Sequence, residues 1–191
     1  MADSLRYMNQ TQDGMIRYYA DGVTMPKLAR LINRQWFREV CKKYGRKVGD
    51  IVFVFTNDQT IISLNNEFNM KDCATDVMTF RYREEGVTNG EVFISLDSVR
   101  DNACRAGVPI MRELNRVMVR GILDLCGVRS RTSEEQVAMT KAEEEALLIK
   151  AGICAAKTAI KDLKENPQKF YDKYYNITSD ALKAASMLVN S

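Results

Sequence analysis

The amino-acid sequence predicts an α/β fold of the α+β type, and two patterns carry this prediction. Short segments rich in β-branched and aromatic residues, which favour strands, are concentrated in the first half of the chain. Longer segments with apolar residues at helical spacing dominate the second half. Because strands come mainly early and helices mainly late, we expect a chain of mixed architecture.

Four segments are predicted to be strands, and a turn signal follows most of them. The last two are separated by the turn sequence EEGVTNG, which favours an antiparallel hairpin. Asp21 and Gly22 end the first segment. The predicted strands cover residues 15–20, 50–55, 75–82 and 91–95.

Helices are predicted between and after these strands. Pro26 suits the first turn of a helix over residues 26–44, and Asn57 or Asp58 can cap a helix that reaches about residue 68. Asp97 can cap a helix over residues 98–106, which Gly107 ends. A long helix over residues 109–126 stops at Gly127.

A further helix is expected after residue 132. Ser133 and Gln136 resemble a capping box. Paired carboxylates on this helix are interpreted as a solvated face: Glu143 and Glu144. Its predicted apolar face is Val137, Ala138, Ala142, Ala146 and Leu147.

The chain is predicted to divide into three parts. Residues 1–13 form an N-terminal arm, residues 14–150 form the main domain, and residues 151–191 form a helical C-terminal extension with a last helix after Thr178 or Ser179. The helices of the extension have narrow apolar faces that must be buried somewhere. Packing on the main domain is favoured, and docking to another chain is the alternative.

Composition limits the classes of function. Hydrophobic residues make up 46% and charged residues 28% of the chain, as in soluble globular proteins. No apolar run approaches the roughly 18 to 20 residues that cross a bilayer, and the polar N-terminus has no apolar signal core. We expect no membrane partner, and a location in the cytoplasm or within an assembled particle.

Cysteine and histidine usage narrows the chemistry further. The five cysteines stand far apart without a CxxC pair, which predicts reduced thiols rather than disulfides or structural zinc. The chain has no histidine, so no Ser/His or Cys/His nucleophile can form. The net charge of +3 permits contact with nucleic acid without arguing for it.

Four sequence blocks in one order resemble the YbeY family of bacterial metal-dependent endoribonucleases, which are implicated in ribosomal RNA maturation. The blocks are LNNEFNMKDCATDVMTF (64–80), GEVFIS (90–95), ELNRVMVRGILDLCGV (113–128) and EEQVAMTKAEEEAL (134–147). The resemblance spans roughly residues 15–148. It implies a mixed sheet of about four strands surrounded by helices, with the long helix central.

The resemblance also locates a metal site that this chain has lost. The family motif HGxLHLxGxxH places three histidines around one zinc ion. The corresponding positions here are Arg120, Asp124 and Ser130, while the motif's glycines and leucines remain. Arginine would repel a cation, so we expect no metal, no other cofactor and no catalysis. Arg120 and Asp124, at i and i+4, are predicted to form an ion pair.

Two other family positions also differ. The family arginine thought to contact RNA phosphate corresponds to Asn69, and the proline of the PTDV element corresponds to Ala74. Thr75 and Asp76 are retained, and we expect them to tie down the start of a strand.

Arginines recur along the long helix and beyond its end. Those on the helix are spaced four apart and form one stripe. Three kinds of partner can neutralise this stripe: RNA phosphates, an acidic partner protein, or intramolecular carboxylates at Glu113, Asp124 and residues 134–145. These candidate contact residues are Arg112, Arg116, Arg120, Arg129 and Arg131.

Loss of the metal ligands beside added terminal segments favours a non-catalytic domain that acts as a structural or assembly subunit. Its partners would be multi-copy protein subunits of a larger particle, either a ribosomal precursor or a viral or phage assembly. One alternative is a catalytically silent RNA-binding factor in ribosome maturation. Another is an active ribosomal RNA endoribonuclease with altered chemistry.

Overall fold

The computed structural model describes residues 14–69, 75–82, 84–168 and 173. The chain divides into two compact units, residues 1–150 and 151–191. The described elements are, in order, β1 (Ile16–Ala20), α1 (Arg30–Lys43), β2 (Lys47–Thr56), α2 (Asp58–Asn69), β3 (Val77–Tyr82), β4 (Val87–Ser95), α3 (Leu96–Ala106), α4 (Ile110–Cys126) and α5 (Ser133–Glu165).

The four strands form one mixed sheet in the order β1-β2-β4-β3. Strands β1 and β2 are parallel, as are β2 and β4, whereas β3 runs antiparallel to β4. The predicted hairpin and the predicted α/β class with a four-stranded mixed sheet are therefore confirmed. The part of the second unit that the structure describes is mainly the end of α5, where Lys173 Nζ lies 3.0 Å from Asp162 Oδ2.

The core lies between one face of the sheet and α4. Alternate residues of β2 and β4 are fully buried, including Phe53 and Val92, and α4 buries nine of its residues. The helix lies close to the sheet at Gly121, where an added Cβ would lie 2.4 Å from Val92 Cγ1. Only a residue without a side chain fits there, so Gly121 sets the distance between α4 and β4.

Local signals predict several helix ends. Asn57 Oδ1 accepts the Thr60 amide at 2.9 Å and caps α2, while Gly107 and Gly127 end α3 and α4 with φ of 63° and 97°. Two predicted helix starts are wrong. Helix α1 begins at Arg30, beyond Pro26, and Ser95 rather than Asp97 caps α3 by accepting the Ser98 amide at 3.2 Å.

Helix α5 also begins with a different cap from the predicted one. Thr132 Oγ1 accepts the Glu135 amide at 3.2 Å, and the Glu135 carboxylate accepts the Thr132 amide at 3.3 Å. The capping box therefore lies one residue before the predicted Ser133 and Gln136 pair.

The predicted apolar face of α5 is right at Ala146, which is buried, and wrong at Val137 and Ala138, which are exposed. Val137 is 71% exposed, and the buried residues of this helix are Met139, Glu143 and Ala146.

Three predictions lie outside the described residues: the arm over 1–13, the helix after Thr178 or Ser179, and the position of Ala74. No helix in the described ranges is long and apolar enough to span a membrane.

Candidate functional site

Arg116, in the middle of α4, is surrounded by three carboxylates. Its guanidinium makes a bidentate pair with Glu113 at 2.9 and 2.7 Å, and it contacts Glu143 and Asp76 at 2.9 Å each. Hydrogen bonds that Arg116 donates to Glu113 and to Glu143 hold the pKa of Arg116 above its ordinary value, although burial acts in the opposite direction. The planar guanidinium fork suits this arrangement, because it offers five N–H donors.

Arg120, one turn further along α4, shares Glu143 with Arg116. Its Nη1 lies 2.9 Å from Glu143 Oε1, while the other oxygen of Glu143 faces Arg116. The Glu143 side chain is only 3% exposed, so two arginines neutralise one buried carboxylate. We call the set of Arg116, Arg120, Glu113, Glu143 and Asp76 the Arg116 cluster.

Asp124 lies apart from the Arg116 cluster. Its carboxylate accepts a hydrogen bond from the Thr79 hydroxyl on β3. Among the ion pairs between described residues, Arg120 pairs with Glu143 and not with Asp124. The predicted ion pair between Arg120 and Asp124 is therefore absent, because the Arg120 guanidinium pairs with Glu143 of α5 instead.

A cleft of about 590 Å³ opens beside Asp124. It lies between β3 and the segment that follows α4. Three of its lining residues are arginines and one is a carboxylate, so its walls are mainly cationic. We call it the arginine cleft, and it is lined by Thr79, Arg81, Asp124, Gly127, Val128, Arg129, Ser130 and Arg131.

Gly127 positions one of these arginines. It has φ of 97°, a conformation that favours glycine, and an added Cβ would lie 2.9 Å from Arg81 Nη1. The Arg81 guanidinium therefore rests against the backbone where α4 ends. Arg81 and Thr79 are two residues apart on β3, so their side chains lie on the same face of the sheet. Asp124 contacts Thr79 on that face.

The residues at the positions that the resemblance assigns to metal ligands are a poor set of zinc ligands. Asp124 offers one carboxylate, Ser130 offers a neutral hydroxyl, and Arg120 offers a cation already paired with Glu143. Across the described ranges, no group of three or more His, Cys, Asp or Glu side chains is arranged to hold a metal ion.

The five arginines singled out in the sequence lie in three places. Arg116 and Arg120 belong to the Arg116 cluster, and Arg129 and Arg131 line the arginine cleft. Arg112 lines a second cavity of about 530 Å³ between α3, α4 and α5. Intramolecular carboxylates therefore neutralise the middle of the predicted stripe, while its two ends face cavities.

Sequence reasoning missed Arg81 and Glu143. Arg81 alternates with Thr79 on a predicted strand, and that alternation is the signal that two polar residues share a face. Glu143 was interpreted as part of a solvated surface. Its spacing of four from Met139 and three from Ala146 would have placed it on a buried face. The backbone carbonyl of Asp76, just before β3, accepts the Ser95 amide at 3.1 Å. The Asp76 carboxylate pairs with Arg116.

Known proteins resemble this chain over most of its length. The family model described as Endoribonuclease YbeY matches residues 21–150. The chain is 42% identical to the Endoribonuclease YbeY of Porphyromonas gingivalis over 134 residues, which cover 70% of this chain and 89% of the relative. It is 40% identical to that of Phocaeicola vulgatus over 135 residues, which cover 71% and 98%.

A solved structure supports the same fold. The solution structure of TM1509 from Thermotoga maritima is similar to this chain with a TM-score of 0.51 and 27% identity, over 75% of this chain and 93% of that one.

These matches overturn one functional expectation. A structural or assembly subunit of a viral or other particle is wrong as the main interpretation, because the family model and both relatives are named as endoribonucleases. The resemblance drawn from the four sequence blocks is confirmed. The chain belongs to the YbeY endoribonuclease family.

Proposed function

We propose that this chain binds RNA in the arginine cleft and acts in ribosomal RNA maturation without the metal-dependent cleavage of its family. The observation that carries the proposal is the exchange of side chains at the family's metal site. Arg129 and Arg131 now flank Ser130, Arg81 faces them from β3, and the ligand positions hold no imidazole.

The charge of the cleft supports RNA as the ligand. Arginine binds phosphate through two parallel N–H···O bonds, and three arginines around one cavity can contact successive phosphates of a single strand. The cleft's volume of about 590 Å³ is large enough for at least one nucleotide. Two of the arginines follow the C-terminus of α4, where Gly127 turns the chain.

The Arg116 cluster has a different role in this proposal. Its carboxylates pair with Arg116 and Arg120, so these two arginines are not available to RNA phosphates. The cluster instead joins α4 to α5 and to the start of β3 at Asp76. In this proposal the cluster supports the cleft structurally, and Arg81, Arg129 and Arg131 contact the RNA.

Binding of a labelled single-stranded RNA across a salt series tests the proposal. Each phosphate contact contributes about 0.7 to the slope of log K against log salt, so three arginines predict a slope of about −2. Fluorescence anisotropy with the full chain measures this slope. Absence of binding, or an affinity that salt does not change, contradicts RNA binding at the cleft.

A cleavage assay separates binding from catalysis. The same RNA is incubated with the chain and Zn²⁺ or Mn²⁺, and in parallel with EDTA. We expect intact RNA in every reaction. Cleavage that EDTA abolishes and Asp124→Ala removes would show that this member of the family retains metal-dependent catalysis through a ligand set that includes Asp124.

A further inference from the structure

Two cysteines from distant parts of the chain lie next to each other in the core. Cys41 of α1 and Cys126, the last residue of α4, have Sγ atoms 3.7 Å apart, although 85 positions separate them in sequence. Cys41 is fully buried and Cys126 is half-buried. Such a distance is that of two thiols in contact, and a disulfide requires the sulfurs to approach to about 2.05 Å.

The surroundings of this pair are polar and basic. Thr88 Oγ1 lies 3.5 Å from Cys126 Sγ, and Arg46 Nε donates to the same hydroxyl at 3.2 Å. Reactive cysteines lie in partially exposed, electropositive surroundings, whereas inert structural cysteines pack among apolar groups. The polar contacts and partial exposure of Cys126 therefore match the reactive class.

We propose that Cys41 and Cys126 form a peroxide-reactive dithiol site that closes to a reversible intramolecular disulfide. Cys126 is the attacking thiol, because solvent reaches it, and Cys41 is the resolving thiol. The hydrogen bond to Cys126, together with burial, raises the pKa of the Cys41 thiol, which keeps its proton on Cys41 until the second step.

The oxidation proceeds in two balanced steps. The Cys126 thiolate attacks one oxygen of a hydroperoxide, breaks the O–O bond and becomes a sulfenic acid, and the leaving oxygen takes up a proton as water or an alcohol. The Cys41 sulfur then attacks the Cys126 sulfur. The S–O bond breaks, water leaves with the Cys41 proton, and the S–S bond forms. A dithiol reductant reverses the reaction by thiol–disulfide exchange.

The dithiol site lies next to the arginine cleft. Cys126 is followed directly by Gly127, which lines the arginine cleft, and Arg46 beside Cys41 holds the loop before β4 through the Glu84 carbonyl at 3.1 Å. A disulfide would join the end of α1 to the end of α4. The inference itself does not depend on what binds in the cleft.

Hydrogen peroxide treatment of the full, folded chain tests the inference. Remaining thiols are blocked with iodoacetamide, and the protein is analysed by mass spectrometry before and after digestion. We expect two fewer alkylated cysteines than in untreated protein, a cross-linked peptide pair that contains Cys41 and Cys126 and lacks two hydrogen atoms (about 2 Da), and reversal by dithiothreitol. The double variant Cys104→Ser/Cys154→Ser is the matched control and should form the same disulfide.

Two single variants assign the roles of the two thiols. Cys41→Ala should stop at a sulfenic acid on Cys126, which dimedone traps, and Cys126→Ala should form neither product. A disulfide that involves any other cysteine, or alkylation of both Cys41 and Cys126 after peroxide treatment, overturns the proposal. The wild-type measurement decides the question even if a variant does not fold.

Discussion

Arg120 Nη1 lies 2.9 Å from Glu143 Oε1, at a position that the family resemblance assigns to a metal ligand. Glu143 belongs to α5 and Arg120 to α4, so the ion pair links two helices. Because Glu143 also contacts Arg116 at 2.9 Å, a single buried carboxylate stabilises two guanidinium groups. This contact therefore contributes to the packing of α5 against α4.

Removal of this carboxylate is expected to destabilise the fold. Glu143→Ala leaves two partly buried arginines without one of their partners. The loss of one member of a fully buried pair costs about 3 to 5 kcal/mol. Arg116 and Arg120 are 26% and 30% exposed, so we expect about 2 to 3 kcal/mol, measured by urea unfolding.

The neighbouring Glu144 offers a matched control for this prediction. It lies on the same turn of α5 and is exposed, so Glu144→Ala should change the free energy of unfolding by less than about 0.5 kcal/mol. Equal effects of the two substitutions would show that the Arg116 cluster adds nothing to stability.

Charge removal at the arginine cleft is expected to weaken RNA binding. Arg129→Gln and Arg131→Gln should each lower affinity for single-stranded RNA, and each should reduce the magnitude of the salt slope by about 1 or slightly less. Arg100→Gln is the control. Arg100 is exposed on α3, pairs with Asp97 at 2.7 Å and does not line the cleft. A slope unchanged in both cleft variants would contradict phosphate contact at these residues.

Gly127 is expected to be required for the shape of the cleft. Gly127→Ala combines strain at φ of 97° with a contact of 2.9 Å to Arg81 Nη1, and we expect a loss of stability of about 1 to 2 kcal/mol together with weaker RNA binding. Gly107→Ala is the matched control, because Gly107 also has positive φ but no neighbour within 4 Å. It should reduce stability by about 1 kcal/mol and leave RNA affinity unchanged. Loss of affinity in both variants would refute the specific role of Gly127.

Asp58 is expected to make stability depend on pH. Although burial opposes it, hydrogen bonds from the Ser95 and Ser98 hydroxyls hold the pKa of the Asp58 carboxyl below its ordinary value of 3.8. A depressed pKa in the folded state contributes stability that is present above the unfolded-state pKa and is lost as pH falls through the folded-state value. The stability difference between wild type and Asp58→Asn should therefore shrink below a pH of about 4.

Unfolding by urea at a series of pH values measures this difference. Ser98→Ala, which removes one donor at 2.6 Å, should give an intermediate profile. A constant difference across the acidic range would mean that the folded state does not lower the pKa of Asp58.

Sequence alone predicts those parts of the fold that depend on local chemistry. Asn57 caps α2 because its side chain reaches an amide three residues away, and Gly107 and Gly127 end helices because they adopt positive φ. In both cases the residue that gives the signal lies within one helical turn of the helix end that it determines. The four strands follow from composition in the same way.

Features that depend on distant partners could not be predicted in this way. Glu143 is buried where two arginines of α4 lie opposite it, and that pairing depends on the packing of α5 against α4. Arg81 belongs to the cleft because β3 lies at the edge of the sheet beside the end of α4. The arrangement of neighbouring elements, and not the local pattern, decides both cases.

The contact between Arg120 and Glu143 also limits how this chain can change. Gly121 brings α4 close to β4, and this approach does not involve the side chain at position 120. A histidine there would remove one of the two guanidinium partners of a carboxylate that is only 3% exposed. The ion pair would therefore oppose the introduction of a histidine at position 120 unless Glu143 also changed.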